Sequence, residues 1–258
     1  MSWRFGRGIL MPSLVRVRLS LICYVIDNQL VITLARQALG DTEFLQNCSV
    51  RLSPMSISAL TDGVLLEAER YVDRYLKEYL PASRSFHNFL HAQTVVENCE
   101  LMAAEYDLTW ADSEELFIAA WFHDLGYCRG REKHEEESVK IAEEFLLDHK
   151  IPDERRRTIS NLILCTLPAC EPISLAAKIL RDADVGHVGS VYYPIFTQLL
   201  KQELEIADGI KFTEVGWAEN NIRFLEGHRF QTDYAMRTWD SQKQENLRKL
   251  IAFLNLST

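Results

Sequence analysis

The sequence predicts an all-α fold, and three observations carry that prediction. From Thr61 onward, apolar residues recur at i, i+3, i+4 and i+7, the spacing of one face of a helix. After residue 60 no stretch shows the sustained apolar–polar alternation of a strand. The helical stretches are divided by short segments holding Pro81, Asn88, Pro152 or Pro172, residues that end a helix or cap the next one. With 258 residues, the chain is long enough for one large domain with a substantial core.

Asp62 can cap a first helix reaching about Tyr79, with Leu65, Ala68 or Glu69, Val72 and Leu76 on one face and Pro81 ending it. Asn88 caps a second helix to about Tyr106. Ser113 begins a third, in which Leu116, Ala119, Ala120 and His123 follow the helical pattern, Asp124 lies beside them, and Gly126 is placed to end it. A fourth runs from about His134 to His149, before Pro152. Further helices are expected near 153–166, 172–187, 190–206, 213–227 and 231–255. Together they predict a helical bundle with short connections, and no internal repeat or low-complexity linker interrupts it.

Residues 1–54 read differently, and residues 55–258 are expected to be the working domain. Val15, Val17, Leu19 and Leu21 alternate with Arg16, Arg18 and Ser20. Arg16, Arg18 and Asp27 interrupt any transmembrane run, which needs ~20 apolar residues, and they break the apolar centre of a signal peptide. The segment reads as an irregular or weakly structured extension. It is either an Arg-rich targeting segment or a stretch ahead of the true start at Met11 or Met55.

The net charge is -9, of which residues 1–54 carry +3 and the rest -12. An acidic main domain excludes a broad nucleic-acid footprint, which is basic, and leaves room for a small anion held through a metal. None of Cys23, Cys48, Cys99, Cys128, Cys165 and Cys170 pair in C-x-x-C spacing. They read as reduced thiols of a cytoplasmic protein.

Four helices bring polar residues onto their apolar sides. His91 shares a stripe with Val95, Asn98 and Met102, and His123 with Asp124 shares one with Leu116 and Ala120. His134 aligns with Ser138, Ile141 and Phe145, and Asp184 with Ile173, Ala177 and Leu180. An inward aspartate needs a partner, because a bare buried carboxylate is too costly. A buried His–Asp hydrogen bond would supply one. A metal ion would satisfy several such residues at once, and converging histidines and aspartates more often make a site. Asp182 sits ~200° around the helix from Asp184 with Lys178 at i-4. It therefore looks more solvent-facing and is expected to support the ligands from behind or to pair with a basic neighbour, while Asp184 takes the ligand role.

The segments Phe86–His91, Trp121–Tyr127, His134–Ser138 and Ile179–Asp184, in this order on an all-α background, resemble the HD superfamily of metal-dependent phosphohydrolases. The resemblance runs from about residue 61 to 255. It implies a bundle around one divalent ion (Mn, Fe, Co, Ni, Zn or Mg) bound by His91, His123, Asp124 and Asp184, with Asp124 also counted as catalytic. It implies hydrolysis of a phosphate ester, often of a nucleotide. Imidazole and carboxylate ligands suit such ions, and four protein ligands leave positions for water and a phosphate oxygen. The His87-Asn88-x-x-His91 segment is also similar to that of cyclic-nucleotide phosphodiesterases, which makes His87 a candidate general acid. The alternative is a loop histidine with no role.

His134 is expected near the phosphate, and Arg131 and Lys133, with Arg129, are candidate anion contacts or simply a solvated loop run. His187 and His228 read as structural, and His149 as solvated. No zincin motif, Gly-rich phosphate loop or nucleophile elbow is present. Two rival functions remain open: an HD-fold di-iron oxygenase, which needs a full second metal set, and a non-catalytic module that senses a ligand in the same pocket.

Overall fold

The computed structural model describes residues 63–257, within the unit Asp62–Thr258. The expected boundary near Met55 and the expected cap Asp62 lie outside the described residues. Within them the chain forms helices and no strand. These are α1 (Val64–Tyr79), α2 (Phe89–Glu105), α3 (Trp110–Phe122), α4 (His134–Asp148), α5 (Asp153–Leu164), α6 (Leu175–Asp184), α7 (Tyr193–Ile206), α8 (Glu214–Gly227) and α9 (Asp233–Ser257). Short 3-10 turns, Leu125–Cys128 and Gly186–Gly189, follow α3 and α6.

Local signals start most of these helices. Asn88 Oδ1 accepts hydrogen bonds from the Leu90 and His91 N–H groups, which satisfies two of the orphan donors at the start of α2. Ser174 caps α6 by accepting from Ala177 N–H at 3.1 Å, and Thr213 caps α8 by accepting from Gly216 N–H at 3.0 Å. The start of α3 is three residues earlier than expected. Thr109, not a residue at Ser113, accepts from Asp112 N–H, and Ser113 is buried inside the first turn.

α3 is the central helix. It packs against α1, α2, α4, α5 and α6, and Leu116 through Phe122 are buried without a break. The one-sided stripe expected for α3 is thus corrected to burial on all faces, as for a helix surrounded by others. Met102 of α2, Ile141 and Phe145 of α4, Ile159 and Ile163 of α5, and Ile179 and Leu180 of α6 complete this core. Each such side chain contributes about 1.5–3 kcal/mol on burial. A smaller cluster of Val188, Tyr193, Leu225, Phe230 and Ala235 ties the turn after α6 to α7, α8 and α9.

Two further expectations are corrected around α6. The helix begins at Leu175, so Ile173 lies in the preceding loop, 87% exposed, and shares no stripe with Asp184. Asp182 is buried, 1% exposed, rather than facing solvent. Its carboxylate accepts from Gln231 N–H, Thr232 N–H and the Thr232 hydroxyl at 2.7–2.8 Å, and Thr232 in turn accepts from Ala235 N–H in the first turn of α9. Three donors from another element outweigh any pull from Lys178, which no spacing rule within α6 could foresee.

Candidate metal centre

α3 stops at Phe122. His123 forms its C-cap, and Asp124 has left helical geometry at φ -109°, ψ 4°. The expectation that α3 runs through both until Gly126 ends it is therefore corrected. Gly126 has a different task. A Cβ there would fall 1.9 Å from the His134 backbone oxygen, so only glycine lets the turn after Asp124 touch the start of α4. Gly126 N–H also donates to Ser138 Oγ at 2.8 Å.

This break aims His123 and Asp124 at the first turn of α2 and the last residue of α6. His91 Nε2 lies 3.2 Å from Asp124 Oδ2 and 3.2 Å from Asp184 Oδ1. His123 Nε2 lies 3.1 Å and 3.4 Å from the same two oxygens. The four atoms thus alternate nitrogen and oxygen around one point, all within 4.8 Å of one another. A cation at about 2.0–2.2 Å from each ligand sets neighbouring ligand atoms about 3 Å apart, which matches these edges.

The donor set fits a cation on a second count. His123 Nδ1 donates to the Ala120 carbonyl at 2.8 Å, which leaves a lone pair on Nε2 in the neutral ring. That lone pair faces two carboxylate oxygens, and neither His123 Nε2 nor Asp124 Oδ2 has a hydrogen-bond partner although both are buried. Acceptors facing acceptors in a buried site call for positive charge between them. Burial works against an imidazolium on His123, yet Asp124 and Asp184 overcome it and push its pKa well above the usual value. Burial likewise works against charge on Asp124, but His123 and then His91 hold its carboxyl well below the ordinary range. A divalent ion among these four side chains would satisfy the facing acceptors and balance both carboxylates.

A second group adjoins the first. His87 Nδ1 sits 2.6 Å from Glu203 Oε1, and the Phe86 and His87 N–H groups both donate to Glu203 Oε2. Glu203 is fully buried. Burial raises its pKa, but His87 and these N–H groups reverse the effect and bring it to about 2. Arg84 bridges Glu203 and Asp208 and lies over the Tyr127 ring at 5.1 Å. Tyr127 is stacked between two imidazoles, with His87 at 3.9 Å and His134 at 4.1 Å. His134 Nε2 is 3.8 Å from Asp124 Oδ1, the oxygen turned away from the four-atom ring.

Of the residues singled out in the sequence, His91, His123, Asp124 and Asp184 converge, and His87 and His134 flank them. Arg131 is half exposed and reaches toward Asp208 at 3.8 Å. Lys133 is on the surface beside Glu136, and Arg129 pairs with Glu137. Sequence reasoning missed Glu203, Arg84, Asp208 and Tyr127. Glu203 did carry a signal, since Phe196 and Leu199 precede it at i-7 and i-4, placing an acid on the half-buried stripe of α7.

Residues 88–188 match the family model of the HD domain. Over this stretch the chain is similar to HD domains. The match opens on the Asn88 cap and closes in the turn after α6, so it takes in all four ligand candidates and leaves out His87 and Glu203. HD domains bind divalent metals and are typically metal-dependent hydrolases, and His91, His123, Asp124 and Asp184 form a candidate site for such an ion. Neither a curated protein nor a solved structure matches the chain. Among the described residues, no helix is long and apolar enough to cross a membrane.

Proposed function

We propose that this HD domain hydrolyses a phosphate ester of a small molecule, of the nucleotide class, using one divalent ion held by His91, His123, Asp124 and Asp184. The observation that carries the reading is the pair of buried, unpartnered acceptors His123 Nε2 and Asp124 Oδ2, set 3.1 Å apart in a ring of four ligand atoms. When bound, the ion supplies a water of lowered pKa and polarises a phosphoryl oxygen.

The protein's own groups divide the remaining work. His87 is tied to Glu203 through Nδ1, which leaves Nε2 to hand a proton to the departing alkoxide. Glu203, anchored by Arg84 and two backbone N–H groups, fixes that ring. Tyr127 stacks against both His87 and His134 and so holds the two rings in place. His134 contacts the phosphate, with Arg131 and Lys133 of the preceding turn lending positive charge.

The test is turnover by the purified chain with Mn, Co, Ni or Mg against nucleoside mono-, di- and triphosphates and cyclic nucleotides. Metal-dependent hydrolysis of one class is expected, abolished in D124N. Elemental analysis should give one ion per chain. Tight metal binding without turnover of any phosphate ester would favour the ligand-sensing module, and two ions with oxygen consumption would favour the oxygenase.

A further inference from the structure

The loop between α5 and α6 holds two sulfurs that the metal centre does not use. Cys165 caps the C-terminal end of α5, and Cys170 lies five residues on. Their Sγ atoms are 3.1 Å apart, inside the about 3.5–4.0 Å at which unbonded heavy atoms rest, and about 1 Å beyond a disulfide bond. The backbone keeps them there. Cys165 N–H donates to the Leu162 and Asn161 carbonyls, and Cys170 N–H donates to Leu167 O at 3.0 Å. One guanidinium gathers the loop, because Arg181 Nη1 donates to the carbonyls of Cys165, Leu167 and Cys170 at 3.0, 2.6 and 3.2 Å. Both cysteines are partly exposed, whereas Cys99 is fully buried.

We propose that Cys165 and Cys170 form a redox-active dithiol that closes to an intrachain disulfide when it meets a low-molecular-weight disulfide oxidant. One thiolate attacks the oxidant, forming a mixed disulfide and expelling one thiol. The second cysteine then attacks the protein sulfur of that mixed disulfide and expels the other thiol. The protein loses two electrons and two protons, and the oxidant is reduced to two thiols. Burial and the neighbouring Cys170 push the Cys165 thiol up to about 11, so closure is slow and is read at equilibrium. The closed bond would pin the end of α5 to the loop that leads into α6, the helix that ends on Asp184.

The experiment uses the full chain and oxidised glutathione. Cleavage after Lys and Arg releases residues 158–178 as one peptide whose two cysteines are Cys165 and Cys170. After oxidation, alkylation and digestion without reductant, that peptide is expected to be about two mass units lighter and to carry no alkyl group. After reduction it should carry two. The C170S chain should keep Cys165 open to alkylation or to a glutathione adduct, with its metal content unchanged as the check on folding. Two alkyl groups or two glutathione adducts on the wild-type peptide at equilibrium would overturn the proposal. So would equal closure in the folded chain and in the chain unfolded by urea.

Discussion

His91 and His87 are four residues apart at the start of α2, and the geometry gives them different work. His91 Nε2 faces the Asp124 and Asp184 carboxylates, whereas His87 is held by Glu203 outside the ring of four. His91→Ala should therefore lose metal and activity together. His87→Ala should keep the metal and lose about 10²–10⁴-fold in rate on a substrate with a poor leaving group, and much less on a nitrophenyl ester, whose leaving group barely needs a proton. Full activity of the variant on the poor substrate would remove the general acid. Glu203→Gln tests the positioning role. Its rate loss should be absorbed by that of His87→Ala, so the double variant is no slower than His87→Ala alone, and a metal assay should read wild-type. Additive losses would mean that Glu203 acts elsewhere. Breaking a buried charge pair costs about 3–5 kcal/mol, so these rates are compared at a temperature where every variant is folded.

Among the elements, the turn Leu125–Cys128 carries the most constraint for its size. It ends α3 so that Asp124 can face α2 and α6, and Gly126 lies against the His134 backbone. Gly126→Ala must push back the start of α4, a backbone that cannot swing aside as a flexible side chain would. The expected result is a stability loss at the upper end of the about 1–3 kcal/mol typical of overpacking, read by thermal melting. A larger fractional fall in turnover than in metal content should accompany it, because His134 moves first. Wild-type melting and turnover would show that α4 is free to shift. Asp182 has an equally fixed place, holding the start of α9 through Gln231 and Thr232, so the helix that ends on Asp184 also anchors the C-terminal helix.

For the molecule as a whole, metal and pH act through two different sets of buried charges. Without a metal ion, only protonated His91 and His123 balance Asp124 and Asp184, and burial works against that charge on the rings, so chelation should destabilise the fold. At a metal concentration about a thousandfold above Kd the ion contributes about 4 kcal/mol. For a domain of this size that is about 8–16 °C of melting temperature, at about 2–4 °C per kcal/mol. An unchanged melting curve after chelation would contradict a tight site among these residues. Acid should weaken the fold in two windows. Burial lowers His187 and His228 from 6.5 to about 4, so the unfolded chain takes up protons on these rings before the folded chain does. Their contribution is complete above about pH 6.5 and is lost as pH falls toward 4. Glu203, at about 2 rather than 4.5, stabilises fully above pH 4.5 and loses that contribution as pH falls toward 2. Melting temperature should fall steadily from pH 7 to 4, and His228→Gln should flatten part of that decline. Equal slopes in the two chains would show that His228 titrates normally in the fold.

The sequence by itself determined that the chain is helical, where most helices begin, and which four residues could share an ion. Those features are local. Asn88 caps α2 with its own side chain, and the order His91, His123-Asp124, Asp184 survives in any linear reading. The tertiary structure alone decided what depends on partners distant along the chain. Glu203 reaches His87 across 116 positions, and Asp182 turns inward because Gln231 and Thr232, 49 and 50 positions on, offer it N–H donors. α3 ends at Phe122, and the turn after it is set by the contact of Gly126 with the His134 backbone, the start of another helix. Periodicity reports which side of a helix is apolar. It is silent on which buried donor or cation waits on that side, and burial makes that partner decide where each charged group points.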